Sequence, residues 1–93
     1  MPNLPSGLTK GRRTPTFTAE TVPRALTKAH LTNAWAVVEV EAGSVDFVDE
    51  QTYYRVTLAA GDQHVIMPGQ RHHVEPDADA RFAVQFWDSP AAE

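Results

Sequence analysis

Short runs of alternating apolar and polar residues follow one another along this chain, and turn-forming residues separate them. Residues 35–41 alternate in this way, which predicts Ala36, Val38 and Val40 on one face of a strand. Residues 53–58 and 81–87 repeat the pattern, whereas no segment keeps an apolar period of 3.6 residues over three helical turns. About seven or eight short strands, with a turn signal roughly every 8–12 residues, predict an all-β sandwich or barrel.

The remaining segments complete a single-domain organisation. Residues 14–21 are rich in threonine and are expected to form an edge strand, and Gly43-Ser44 is expected to be a hairpin turn. Before residue 14, several proline and glycine residues predict an extended N-terminal arm over residues 1–13. We therefore expect one β-barrel over residues 14–88, followed by a frayed tail over residues 89–93.

A strand, a tight corner and a second strand are predicted over residues 61–76. The apolar run from Val65 to Met67 is broken by Pro68-Gly69, because proline lacks the backbone donor and glycine allows a positive φ. The next run begins with His72 and His73, and adjacent strand residues face opposite ways. Only one of these two imidazoles can therefore point into a barrel, and imidazole is the commonest metal ligand among side chains.

Composition narrows the class of protein. The chain has 93 residues and a formal net charge of −4, which argues against nucleic acid or an anionic membrane as the main partner. It contains no cysteine and no apolar run long enough to span a membrane, so we expect a cytoplasmic protein without thiolate chemistry. A chain of this length has a small core, and we expect a homodimer because association would bury more apolar surface.

Several stretches in order resemble a small cupin family associated with tellurite resistance, whose members stand alone or precede the methyltransferase domain of tellurite resistance protein B-like proteins. The first stretch is Thr14-Pro15-x-Phe17-Thr18-x-Glu20-Thr21-Val22-Pro23-x-x-Leu26-x-Lys28-x-His30-x-Thr32. Trp35 with Val40-x-x-Gly43, then Pro68, His72-His73-Val74-Glu75-Pro76 and Arg81-Phe82-x-Val84-x-Phe86, continue the match nearly to the end of the chain. The resemblance implies an all-β, cupin-type (RmlC-like) jelly-roll barrel.

The resemblance also implies a divalent transition-metal site, with Zn, Ni, Fe or Mn as the expected ion. His30 and His72 are the implied ligands near the barrel mouth, and Gln85 stands where relatives carry a carboxylate, as a neutral and weaker substitute. The pocket beside the metal is expected to include Trp35, Glu39, Phe82 and His64. The alternative is that His30 hydrogen-bonds a turn and His72 is half-buried beside Trp35.

Three functions are compatible with this sequence. The first is a metal-binding cupin domain with a role in stress, detoxification or small-molecule binding, its partner being a small molecule or an anion. The second is a metal-dependent cupin enzyme of the dioxygenase or isomerase type, since two or three protein ligands leave open coordination positions. The third is a metal-free module for small-molecule binding or dimerisation.

Overall fold

The computed structural model describes residues 4–88, which form seven β-strands and one short 3₁₀ helix. The predicted tail over residues 89–93 lies outside the described residues. In chain order the elements are β1 (Thr9–Arg13), the 3₁₀ helix (Arg24–Thr27), β2 (Trp35–Ala42), β3 (Ser44–Asp49), β4 (Tyr54–Ala59), β5 (Gln63–Ile66), β6 (His72–Pro76) and β7 (Arg81–Asp88). The predicted all-β class is therefore confirmed. None of the described residues forms a helix with the length and apolarity that a membrane span requires.

The strands form two antiparallel sheets. The first sheet has the order β1-β7-β2-β5, and the second has the order β4-β3-β6. Along β2, Val38 lies opposite Val84 of β7 and His64 of β5, so the apolar faces of these strands coincide. On the second sheet Phe47 of β3 lies opposite both Val56 of β4 and Val74 of β6.

The core lies between the inner faces of these two sheets. The predicted inward residues Ala36, Val38 and Val40 of β2 are 0%, 0% and 4% exposed. Phe82 of β7 is also fully buried, and Phe17 meets it edge to face with the ring centroids 5.8 Å apart. Alternation along each strand thus places one apolar row of each sheet against the other sheet.

Gly43 carries the chain from the first sheet to the second, so the predicted β2–β3 hairpin is wrong. β2 pairs with β5 and β7, whereas β3 pairs with β4 and β6. Gly43 has a φ of 64°, and a Cβ there would lie 2.5 Å from the carbonyl carbon of Asp79. Both facts require glycine, and alternation along the chain does not reveal that the corner changes sheets.

The predicted edge strand over residues 14–21 is also wrong. The strand at this edge of the first sheet is β1, which lies within the predicted N-terminal arm and pairs with β7. Of residues 14–21, Phe17 alone forms an isolated bridge, to Phe82. Threonine content favoured a strand locally, but Pro15 removes a backbone donor from this segment.

Candidate functional site

Two histidines that are distant in sequence face each other across a backbone bridge. The His30 N–H donates to the His72 carbonyl at 2.9 Å, and the His72 N–H donates to the His30 carbonyl at 3.0 Å. This reciprocal antiparallel pairing places the two residues directly opposite each other, so both side chains point to the same side of the bridge. The ring centroids are consequently 4.2 Å apart, with an interplanar angle of 59°.

The corner predicted between β5 and β6 is what delivers His72. Gly69 adopts a φ of 77°, and its N–H donates to the Thr32 carbonyl at 2.9 Å. The buried side chain of Gln70 accepts from the Met67 N–H at 3.0 Å and donates to Asp49 at 2.9 Å. These bonds fix the turn immediately before His72 and join it to the segment that follows His30.

Each imidazole of this pair is oriented by a main-chain carbonyl. His30 Nδ1 donates to the Lys28 carbonyl at 3.0 Å, and His72 Nδ1 donates to the Gln70 carbonyl at 2.7 Å. A carbonyl can only accept, so in the neutral form of each ring the proton lies on Nδ1 and Nε2 keeps its lone pair. The same second-shell arrangement fixes the tautomer of histidines that bind metal ions.

Burial keeps His72 in its neutral form. Its side chain is 2% exposed and stacks on the Phe47 ring at 5.2 Å between centroids. Burial lowers the pKa of His72, and the neighbouring His30 lowers it further, against the raising effect of the hydrogen bond to Gln70. His30 Nε2 is buried and has no hydrogen-bond partner among residues 4–88, which is unusual for a buried polar atom.

A cavity of about 220 Å³ opens beside the two rings. Its other walls are mainly apolar, and they include Leu26, Val38, Ile66, Val74, Phe82, Val84 and Phe86. The predicted pocket residue Phe82 therefore lines it. Small-molecule sites typically combine such apolar walls with a few convergent polar groups.

His64 lies on the same inner face but in a neighbouring position. It is 5% exposed, and its ring centroid is 4.4 Å from that of Phe47, which also stacks on His72. Burial lowers the pKa of His64, and its Nδ1 has no partner within the described part of the chain. His64 is not among the described residues that line the cavity.

The other predicted site residues lie on the opposite face of the first sheet. Gln85 is 2% exposed, and its amide nitrogen donates to the carbonyls of Gly11 at 2.9 Å and Phe86 at 3.0 Å. Glu39 forms an ion pair with Arg13 at 2.5 Å, and Trp35 lies opposite Trp87 in the ladder. Strand alternation directs these side chains away from Val38 and Val84, so the structure does not bring them to the histidine pair.

Residues 4–88 contain no group of three His, Asp or Glu side chains that could hold a metal ion.

His73 occupies the outer face of β6, as its adjacency to His72 predicted. Its Nδ1 bonds Glu50 and its Nε2 bonds Glu75 at 2.7 Å, while Arg55 bonds Glu75 at 2.7 Å and Asp46 at 2.8 Å. Partial burial opposes protonation of His73, but the bonds to Glu75 and Glu50 outweigh it and raise the pKa. Arg55 and then His73 hold the pKa of Glu75 at about 2.

Sequence reasoning missed two residues of this site. Nothing in the alternating pattern indicated that the ring of Phe47 would contact both His64 and His72. Arg12 falls in the predicted extended N-terminal arm, yet it lines the cavity and its guanidinium lies 4.6 Å from the centroid of the Phe86 ring. A strand prediction over residues 9–13 would have placed Arg12 and Arg13 on opposite faces.

The fold and the site define a small two-sheet β domain with a histidine pair at an apolar cavity. The chain belongs to the TehB-like domain family, whose sequence model matches residues 12–84. The family expected from the sequence, that of tellurite resistance protein B-like proteins, is thereby confirmed. No curated protein sequence matches the chain.

Solved structures share the fold at low identity. A crystal structure of a protein from E. coli K12 has a TM-score of 0.90 at 21% identity, over 100% of this chain and 93% of that one. TehB from Haemophilus influenzae gives 0.79 at 17% identity, over 90% of this chain and 32% of that one. A putative ethanolamine utilization protein Q from Salmonella typhimurium LT2 gives 0.57 at 20% identity, over 66% of this chain and 48% of that one. At such identities the matches establish the fold alone.

Proposed function

We propose that this protein is a cupin-type binding domain in which His30 and His72 hold one divalent transition-metal ion at the wall of the apolar cavity. The observation that carries the proposal is the buried, unpartnered Nε2 of His30 beside a second imidazole whose Nδ1 is likewise committed to a carbonyl. The two-sheet topology and the likeness to the ethanolamine utilization protein Q structure support the cupin-type assignment.

The donor set fits an ion that prefers nitrogen. Metal binding requires neutral imidazole, and burial lowers the pKa of His72, so no proton has to be displaced from this ring at neutral pH. With two imidazoles and no carboxylate beside them, we expect Zn(II) or Ni(II) to bind more tightly than Mn(II) or Fe(II). Such an ion would supply Lewis-acid polarisation of an oxygen on a ligand in the cavity.

Metal titration of protein purified without a histidine tag tests this proposal. Zn(II) or Ni(II) at a hundredfold excess over its dissociation constant should stabilise the wild type by about 2.7 kcal/mol, measured by chemical denaturation. The variants His30→Ala and His30→Ala/His72→Ala should lose this stabilisation.

His73→Gln is the matched control, because it removes an imidazole from the outer face of the same strand and should leave the effect intact. Equal stabilisation of the wild type and the His30→Ala variant would refute the proposal. His30 is only partly buried, so its single variant remains informative if the double variant does not fold.

A second candidate is a small-molecule-binding domain that needs no metal. It is favoured by the apolar walls of the cavity and by the lack of a third His, Asp or Glu beside the pair within residues 4–88. In that case the Nε2 atoms would accept hydrogen bonds from the ligand itself. Ligand binding that persists in chelator, together with a negative metal titration, would select this candidate.

A further inference from the structure

Few of the described residues that line the cavity have polar side chains. Arg12 is the only arginine, lysine, aspartate or glutamate among the described residues that line it. The other polar side chains in the lining are Thr14, Thr32 and the two histidines. The cavity therefore presents apolar walls and one permanent positive charge, which attracts the anionic group of a ligand.

Arg12 lies where the cavity opens. It also lines an adjoining polar groove together with Thr32, Asn33, Ala34, Phe86 and Asp88, so it belongs to both spaces. Its guanidinium is held over the Phe86 ring, 4.6 Å from the centroid, which is within cation–π range. Phe86 lines the cavity as well, so this contact keeps the charge at the apolar boundary.

The charge of Arg12 is not neutralised by an ion pair within residues 4–88, in contrast to that of its neighbour. Arg13 faces the other side of the sheet and pairs with Glu39 at 2.5 Å and Glu41 at 3.9 Å. Asp88 lines the groove but is not among the described residues of the cavity wall.

Cavity volume limits the size of the ligand. An apolar cavity of about 150 Å³ accommodates benzene. The cavity of about 220 Å³ in this protein thus admits a body somewhat larger than one benzene ring. The guanidinium fork matches a carboxylate in a two-pronged hydrogen bond that a neutral or cationic group cannot form.

We infer that the cavity binds a small monocarboxylate, with its compact apolar body against Val38, Phe82 and Val84 and its carboxylate at Arg12. This inference rests on the proposed function in that it takes the cavity beside His30 and His72 as the binding site, but it does not require a metal ion there. The net charge of −4 on the whole chain means that selectivity for the anion arises locally, from Arg12.

Calorimetric titration with benzoate, benzamide and benzylamine tests the inference on the full chain, once in chelator and once with Zn(II). These probes share one ring and differ in charge. Benzoate should bind about tenfold or more tightly than benzamide, since hydrogen bonds to charged groups contribute about 1.5–3 kcal/mol. Benzylamine should bind more weakly than either.

Three variants test whether Arg12 causes the preference for benzoate. Arg12→Gln should remove the preference for benzoate over benzamide, whereas Arg13→Gln, which changes the adjacent arginine on the other face, should preserve it. Arg12→Lys keeps the charge but loses the planar fork, so it should retain only part of the preference. Melting curves establish that each variant is folded before titration.

The inference is overturned if benzoate and benzamide bind equally, if neither binds at millimolar concentration, or if Arg12→Gln leaves the preference unchanged. Its failure is separable from that of the proposed function. Benzoate binding in chelator that depends on Arg12 supports the carboxylate site whatever the metal titration gives. Stabilisation by Zn(II) that depends on His30, without benzoate binding, supports the metal centre alone.

Discussion

His72 and His73 are neighbours in sequence and opposites in environment. His72 faces the core, stacks on Phe47 and has a lowered pKa because it is buried. His73 faces outward between two carboxylates that raise its pKa despite partial burial. One strand thus gives two identical side chains opposite electrostatic environments: burial favours the neutral form of His72, and the carboxylates favour the protonated form of His73.

The same division applies to the whole second sheet. Its inner face contributes Val45, Phe47 and Val74 to the core, with exposures of 0%, 0% and 4%. Its outer face carries the charged network of Asp46, Arg55, Glu75 and His73 with Glu50. Surface ion pairs of this kind contribute little to stability compared with buried apolar side chains. The comparison therefore predicts that substitutions on the inner face lower the stability of the domain strongly and that substitutions on the outer face change it little.

The largest effect is expected from Phe47→Ala. Phe47 is fully buried and contacts both His64 and His72, so its truncation leaves a cavity and removes the wall that orients His72. We expect the free energy of unfolding to fall by about 3–5 kcal/mol, measured by urea denaturation.

Tyr54→Ala serves as the control for this change, since it removes an aromatic ring that is 54% exposed on the neighbouring strand. It should alter stability by only about 0.5 kcal/mol or less. Similar losses in the two variants would contradict the assignment of Phe47 to the core of the domain.

An intermediate change in the free energy of unfolding is expected when the pH is varied. The measurement is made in chelator so that no metal ion contributes. The His72 pKa is lowered from 6.5, so below that pH the unfolded chain binds a proton that the folded chain refuses, and stability falls. The His73 pKa is raised from 6.5, so its contribution is fully present below that pH and is lost as pH rises through the folded value. His73→Gln should accordingly cost more stability at about pH 6 than at about pH 9.

Histidine ring resonances in a nuclear magnetic resonance titration measure the two pKa values directly. We expect the His73 resonance to titrate above 6.5 and the His72 resonance below it. Coincident titrations would remove the contrast between the two faces of β6.

The smallest effect is expected from Glu75→Gln. Glu75 accepts hydrogen bonds from Arg55 and from His73 Nε2, and its side chain is 46% exposed. The variant should lower the pKa of His73 toward 6.5, with a minor change in melting temperature that shrinks as salt is added. A His73 pKa that does not move would show that Glu50 alone sets it.

Much of this fold follows from local pattern. Alternation over residues 35–41 and 81–87 predicted the inward rows of β2 and β7, and Pro68-Gly69 predicted the corner between β5 and β6. The β2–β3 hairpin was predicted wrongly because Gly43 forms a close corner under residues 79–80, a contact that depends on tertiary structure. Alternation over residues 53–58 predicts Tyr54 on the same face as Leu58, yet Tyr54 is 54% exposed because it lies at the start of the edge strand β4.

The candidate site was predictable only in part. Family resemblance indicated His30 and His72, and the structure places their rings side by side, whereas metal binding by this pair remains a prediction. Gln85 lies between Val84 and Phe86 in β7, so its side chain points to the opposite face of the strand from theirs. Which of these faces packs against the second sheet cannot be read from the alternation alone. The role of Arg12 depends on the pairing of β1 with β7 across more than 70 residues, which local sequence does not encode.

The bridge between His30 and His72 is built from main-chain atoms alone, and this has a consequence for how the centre can change. Substituting either imidazole leaves both reciprocal amide–carbonyl bonds in place. The scaffold therefore offers two facing positions whose donors are exchangeable, such as carboxylate or thiolate for imidazole, without a new backbone conformation. For the metal site proposed above, this means that selectivity for ions could diverge among descendants of this chain while their architecture stays the same.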